Sequence, residues 1–94
     1  MNIQQKTNTD GGHFFYEEGG KELAGMYYSK ISDNQISIDH TEVDDSLAGK
    51  GVGKILLEST VAFARKNGLS ITPICTYAKH VMDKNAETYK DVRA

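Results

Sequence analysis

Gly49, Gly51 and Gly53 alternate with Lys50 and Val52 immediately before a segment of helical periodicity. Backbone without Cβ atoms lets a bound group approach closely, and the first turn of a helix adds free N–H groups and about half a positive charge. Phosphate or pyrophosphate is the ligand that this arrangement suits. Two familiar phosphate loops are nevertheless excluded. A P-loop ending at Gly53-Lys54 would need glycine at Ala48 and serine or threonine at Ile55, and a dinucleotide fingerprint from Gly49 would need glycine at Lys54. His40 precedes the loop in sequence, and Cys75 and Tyr77 follow the helix. Histidine exchanges protons near neutral pH, a thiol donates a proton or attacks as a thiolate, and a phenol donates a hydrogen bond to a leaving anion. The thiolate route needs a base close by, because an ordinary thiol, with a pKa of about 8.5, is mostly protonated at neutral pH. Each feature also has a purely structural reading. The glycines could form a tight turn, His40 could continue the Ile36/Ile38 core face, Cys75 could be a small buried hydrophobe, and Tyr77 could cover the core.

The elements that must position these residues follow from periodicity. Residues 1–10 (MNIQQKTNTD) show none and read as a mobile lead-in, apart from Ile3, which can pair weakly at an edge; residues 11–94 form a single domain. His13–Glu18, Gly19-Gly20 and Lys21–Lys30 predict a β-hairpin, and a turn at Ser32-Asp33-Asn34 leads into a third strand at Gln35–Val43. In that strand Ile36, Ile38 and His40 alternate with Gln35, Ser37, Asp39 and Thr41, so His40 is expected on the face of the two isoleucines. The helix runs from the glycine loop to Asn67-Gly68, a C-cap signal. Val52, Ile55, Leu56, Ser59, Ala62 and Phe63 form its expected inner face, flanked by Leu57, Val61 and Ala64. Leu69–Cys75 is a short apolar strand in which Pro73 implies an edge, a bulge or a missing ladder partner. Thr76–Asp83 predicts a short helix and Glu87–Val92 a further turn. The order is β-β-β-α-β-α, an α+β fold with a mixed sheet: three antiparallel strands, then a parallel β-α-β unit whose strand-to-helix loop is the glycine-rich one.

Composition narrows the function classes. Ninety-four residues at 38% hydrophobic and 26% charged build one small core and exclude a two-domain enzyme. A domain of this size buries roughly 60–68% of its unfolded surface, so a ligand or a partner subunit adds appreciably to its stability. Eleven Lys and Arg against thirteen Asp and Glu give a net charge of −2 without a basic block, which argues against nucleic acid as a partner. No segment approaches the ~20 apolar residues that span a bilayer, so no membrane association and a cytoplasmic location are expected. The single cysteine rules out an internal disulfide and a Cys-based zinc site, and no metal is expected. A monomer or weak homodimer is expected.

Val43 to Gly53 (VDDSLAGKGVG), preceded by a strand and followed by an amphipathic helix, resembles the acetyl-CoA-binding segment of GCN5-related N-acetyltransferases, whose motif is [QR]-x-x-G-x-[GA]. Gly51-Val52-Gly53 fits its second half, while Ala48 stands where the family has Gln or Arg. Asp39-His40-Thr41 before the loop and Ile71 to Tyr77 (ITPICTY) after the helix extend the resemblance to a very short acetyltransferase-like subgroup with H-T-x-V, G-x-G-x-G and P-x-C-x-Y elements. The likeness covers Gln35 to Tyr77 well and the first hairpin loosely. It implies acetyl-CoA, or CoA, lying where the two parallel strands splay. The pantetheine would pair with the backbone of Thr41, Glu42 and Val43, and the phosphates would meet Gly49, Lys50, Gly51, Val52, Gly53 and Lys54. It also implies His40 as base, Cys75 as proton donor or acetylated nucleophile beside His40, and Tyr77 as hydrogen-bond donor to the thiolate. The commoner catalytic tyrosine, about two turns into the following helix, is replaced here by Met82. Ninety-four residues leave no room for walls around an acceptor, so an exposed amine on a protein or polyamine is the expected acceptor. A non-catalytic CoA-binding or protein-interaction module is the alternative.

Overall fold

In the computed structural model, which describes residues 1–94, five strands form one sheet in sequence order: β1 (Gln4–Asn8), β2 (Gly11–Glu18), β3 (Lys21–Ser32), β4 (Gln35–Val43) and β5 (Ser70–Pro73). The first four run antiparallel and β5 runs parallel to β4. Helix α1 (Val52–Asn67) makes the crossover between β4 and β5, after a short 3₁₀ turn at Asp45–Leu47. Helices α2 (Thr76–Lys84) and α3 (Ala86–Tyr89) follow β5. The expected α+β architecture with a terminal parallel unit is therefore present.

The lead-in expected to lack structure contains a strand instead. Every residue of β1 is exposed, so its sequence carries no apolar alternation to reveal it. Its pairing depends on the strand opposite: a Cβ on Gly12 would stand 2.2 Å from the Lys6 carbonyl oxygen, so only glycine lets the two backbones close.

All three helices contribute to one core with Phe14, Met26, Tyr28, Ile36, Ile38 and Ile71, and so lie on the same side of the sheet. Arg65 of α1 reinforces this arrangement by bonding Asp91, just beyond α3, and the Thr88 carbonyl within it. The buried stripe of α1 is Val52, Leu56, Leu57, Thr60, Val61 and Ala64, turned away from the expected one; Ala62 is exposed and Ile55, Ser59 and Phe63 are half-buried. Thr60 escapes a hydrophobic reading but lies fully inside, its hydroxyl donating to the Leu56 carbonyl at 2.9 Å and reaching Met26 Sδ at 3.4 Å. Gly68 ends the helix in the left-handed conformation, its N–H directed at the Ala64 and Arg65 carbonyls.

The chain after α3 returns to the outer edge of β5. Ile71 N–H donates to the Val92 carbonyl and Ala94 N–H to the Ile71 carbonyl, which pairs part of an edge that would otherwise stay open. No helix is long and apolar enough to cross a membrane.

Candidate functional site

Two irregularities at one point of β4 build the site. Pairing between β4 and β5 ends at Ile38↔Pro73; proline has no N–H to continue a ladder, and the next two amides, of Ile74 and Cys75, both donate to the Ile38 carbonyl. From Asp39 to Val43 the β5 side of β4 is therefore left unpaired, while its β3 side stays in register from Ala24↔Val43 to Tyr27↔His40. At the same point β4 bulges: Tyr27 faces His40 but Tyr28 faces Ile38, leaving Asp39 as the extra residue. Both its carboxylate oxygens are occupied, Oδ1 by Ser37 Oγ at 2.6 Å and Oδ2 by Ser29 Oγ.

The bulge reverses which side chains point where, because a one-residue insertion moves every following side chain to the other face. His40 does not continue the Ile36/Ile38 face. It is exposed on the helix-free face, opposite Tyr27, with Nε2 3.0 Å from Glu42 Oε1. Thr41 takes the inner orientation opposite buried Met26, and its Oγ1 lies 3.2 Å from Cys75 Sγ. The expected neighbourhood of His40 and Cys75 is thus replaced by a Thr41–Cys75 contact. Nothing in the alternation of Gln35–Val43 signals this, since Asp39 and His40 are both polar and the inserted residue leaves no gap in an apolar pattern.

On the helix side, a groove of roughly 370 Å³ is lined by Thr41, Val43, Leu47, Ala48, Gly49, Gly51, Val52, Gly53 and Tyr77. Most of the residues assigned to the cofactor meet here, but Glu42, Lys50 and Lys54 lie outside the lining. The floor is the start of α1. Gly51 occupies its N-cap in the left-handed conformation, with φ 70°, no side chain caps the first turn, and no acidic residue lies in it. The free amides and positive helix end therefore face the groove without a resident anion. Gly49 and Gly51 open into empty space, whereas a Cβ on Gly53 would stand 3.0 Å from Tyr77 Cζ and 3.1 Å from its hydroxyl oxygen. Tyr77 thus packs on the first turn of α1. Burial, assisted by Tyr89 and Cys75, raises its pKa above that of an ordinary phenol, which keeps the hydroxyl a donor. Cys75 is the N-cap residue of α2 and reaches the groove through Thr41.

The opposite face carries no helix, and three rings stand side by side across it. His13 stacks on Tyr27 with centroids 4.7 Å apart, and Tyr27 lies 5.9 Å from His40. Each imidazole meets a carboxylate: His13 pairs with Glu22 at 2.9 Å and His40 with Glu42. Hydrogen bonds from His13 and Lys6 hold Glu22 below the usual carboxylate range. No local spacing in the sequence links His13 to Tyr27; their link is the β2-β3-β4 register, in which His13↔Tyr27↔His40 are direct neighbours.

The family model described as GCN5-related N-acetyltransferase matches residues 13–92. The chain belongs to that family. No curated protein matches its sequence. Among solved structures, this GCN5-related chain is similar to a GCN5-like protein from Staphylococcus aureus, with 38% identity, a TM-score of 0.75, and coverage of 99% of this chain and 89% of that one. A ribosomal-protein-alanine N-acetyltransferase from Brucella melitensis shares the fold at 15% identity and TM-score 0.63, over 93% of this chain and 64% of that one. So does an aminoglycoside N-acetyltransferase in complex with CoA, at 14% identity and TM-score 0.59, over 82% of this chain and 67% of that one.

Proposed function

We propose that this GCN5-related chain binds acetyl-CoA in the groove between β4, α1 and Tyr77 and transfers the acetyl group to an exposed amine. The observation that carries this reading is the meeting of two complementary surfaces: an uncapped, glycine-lined helix start for phosphates, and unpaired β4 backbone from Asp39 to Val43 for an extended amide-bearing arm. The residues fit the group at both ends, and Ala48 removes one side chain from the phosphate site while the backbone donors stay. Lys50 and Lys54, which flank the glycines in sequence, supply positive charge for the phosphates. When bound, acetyl-CoA supplies an acetyl thioester, which an uncharged amine attacks.

The two faces divide the work. His40 donates through Nε2 to Glu42, which leaves Nδ1 free to take the proton that the amine nitrogen loses. Tyr77 Oη–H donates a hydrogen bond to the departing sulfur from the groove wall. The Cys75 thiol, bonded to Thr41, is the proton source behind it. Because His40 and Cys75 occupy different sides of β4, direct transfer is favoured over an acetyl-Cys75 intermediate. The acceptor reaches His40 from the uncovered face, where Glu22 and Glu42 suit a cationic amine of a protein or polyamine.

A second reading, a CoA-binding module without efficient turnover, draws on Ala48 and on the separation of His40 from Cys75. Turnover of acetyl-CoA with a panel of amines, read beside intact mass under quenched turnover, separates the two. Direct transfer predicts acetylated product, little activity in His40→Ala, and no adduct on Cys75. CoA binding without product on any amine would favour the module.

A further inference from the structure

We infer that Asp39 is a positioning residue that fixes which side of β4 each reacting group occupies. Asp39 is the inserted residue at the only point where β4 both bulges against β3 and parts from β5. A bulge in a strand flanked by polar residues is weakly specified by packing alone, because register is set by which side chains must be buried, and neither Asp39 nor His40 must be. What specifies it here is the carboxylate. Ser29 of β3 and Ser37 of β4 each donate a hydroxyl to one oxygen of Asp39, and Ser37 is itself 4% exposed. The carboxylate thereby ties the inserted residue to its own strand and to the neighbouring one.

The consequence falls on the two residues that follow. With the insertion held, His40 stands beside Tyr27 on the uncovered face and Thr41 turns inward to Cys75. If the insertion were lost and β4 resumed simple alternation, His40 would follow Ile38 inward and Thr41 would follow Asp39 outward. The Thr41–Cys75 contact and the Tyr27–His40 pair would be lost together. The roles attached to the two sides rest on the proposed acetyl transfer; the geometric assignment does not, and its test needs no cofactor.

Three variants make that test: Asp39→Ala, Asp39→Asn, and Ser29→Ala with Ser37→Ala. Asparagine retains an acceptor for one serine and offers its amide N–H to the oxygen of the other, so it should preserve the tie. The readouts are nuclear Overhauser contacts between the Tyr27 and His40 rings, the alkylation rate of Cys75, and the split between kcat and the acceptor KM. Asp39→Ala and the double-serine variant are expected to lose the ring contacts, to change Cys75 alkylation several-fold, and to lower kcat, with Asp39→Asn close to wild type in all three. Should Asp39→Ala not fold, the double-serine variant carries the same expectation. Ring contacts and Cys75 alkylation unchanged in the double-serine variant would overturn the inference. A failure of CoA binding in the wild type would instead remove the proposed function and leave this geometric result standing.

Discussion

At Gly53 the missing side chain is what admits Tyr77 to the groove. A methyl group there would stand 3.0–3.1 Å from the Tyr77 ring, which must give by a few tenths of an ångström, while alanine gains about 0.5–1 kcal/mol over glycine within the helix. Gly53→Ala is therefore expected to shift the Tyr77 ring and weaken CoA binding with little change in melting temperature, whereas Tyr77→Phe keeps the packing and loses only the donor. Steady-state kinetics should then show Tyr77→Phe reducing kcat by about 10²-fold or more, the usual scale for losing one hydrogen bond to a developing anion, with the KM for acetyl-CoA little changed. The pH profile gives a sharper check. Burial raises the Tyr77 pKa, so the phenol stays protonated through the neutral and mildly alkaline range. Any loss of rate on raising the pH to 9 must come from another group, and Tyr77→Phe should not shift it.

The helix start and the strand that precedes it act as one element. Gly51 holds the N-cap at a positive φ that an L side chain adopts at a cost of roughly 1–2 kcal/mol, and its neighbourhood is otherwise empty. Gly51→Ala should therefore destabilise the fold by about that amount through backbone strain alone, seen as a lower midpoint in urea with an unchanged m-value. Much of this element was legible beforehand: the bounds of β4, the glycine loop, the Asn67-Gly68 stop of α1, and Pro73 at the edge where pairing ends each follow from local chemistry. Two things were not. The bulge at Asp39 is silent because it inserts a polar residue among polar residues, so nothing in the alternation turns His40 outward or brings Thr41 to Cys75. Strand β1 is silent because all its side chains are exposed, and the glycine that admits it, Gly12, belongs to the strand opposite.

Across the molecule, the C-terminal segment is fastened by charge as well as by its pairing with β5. Asp91 accepts from Arg65, and Asp83 from Lys79 and Arg93; these hydrogen bonds hold both carboxyl groups below the usual aspartate range. A depressed folded-state pKa gives stability that is present above the unfolded value, roughly 3.9, and is lost as the pH falls through the folded one. Melting temperatures of wild type and Asp91→Asn should differ at pH 6 and converge as the pH drops below about 4. A ligand that binds only the folded chain also stabilises a core this small: at a hundred times its dissociation constant it adds about 2.7 kcal/mol, which raises the melting temperature of a domain this size by ten degrees or more on the usual scale of roughly 4–8 °C per kcal/mol. The most direct test of the whole account is titration of the ¹⁵N-labelled chain with CoA, following backbone amide shifts. The account predicts saturable shifts concentrated at Thr41–Val43, Gly49–Lys54 and Cys75–Tyr77. Saturable shifts centred elsewhere, or none at millimolar CoA, would contradict it.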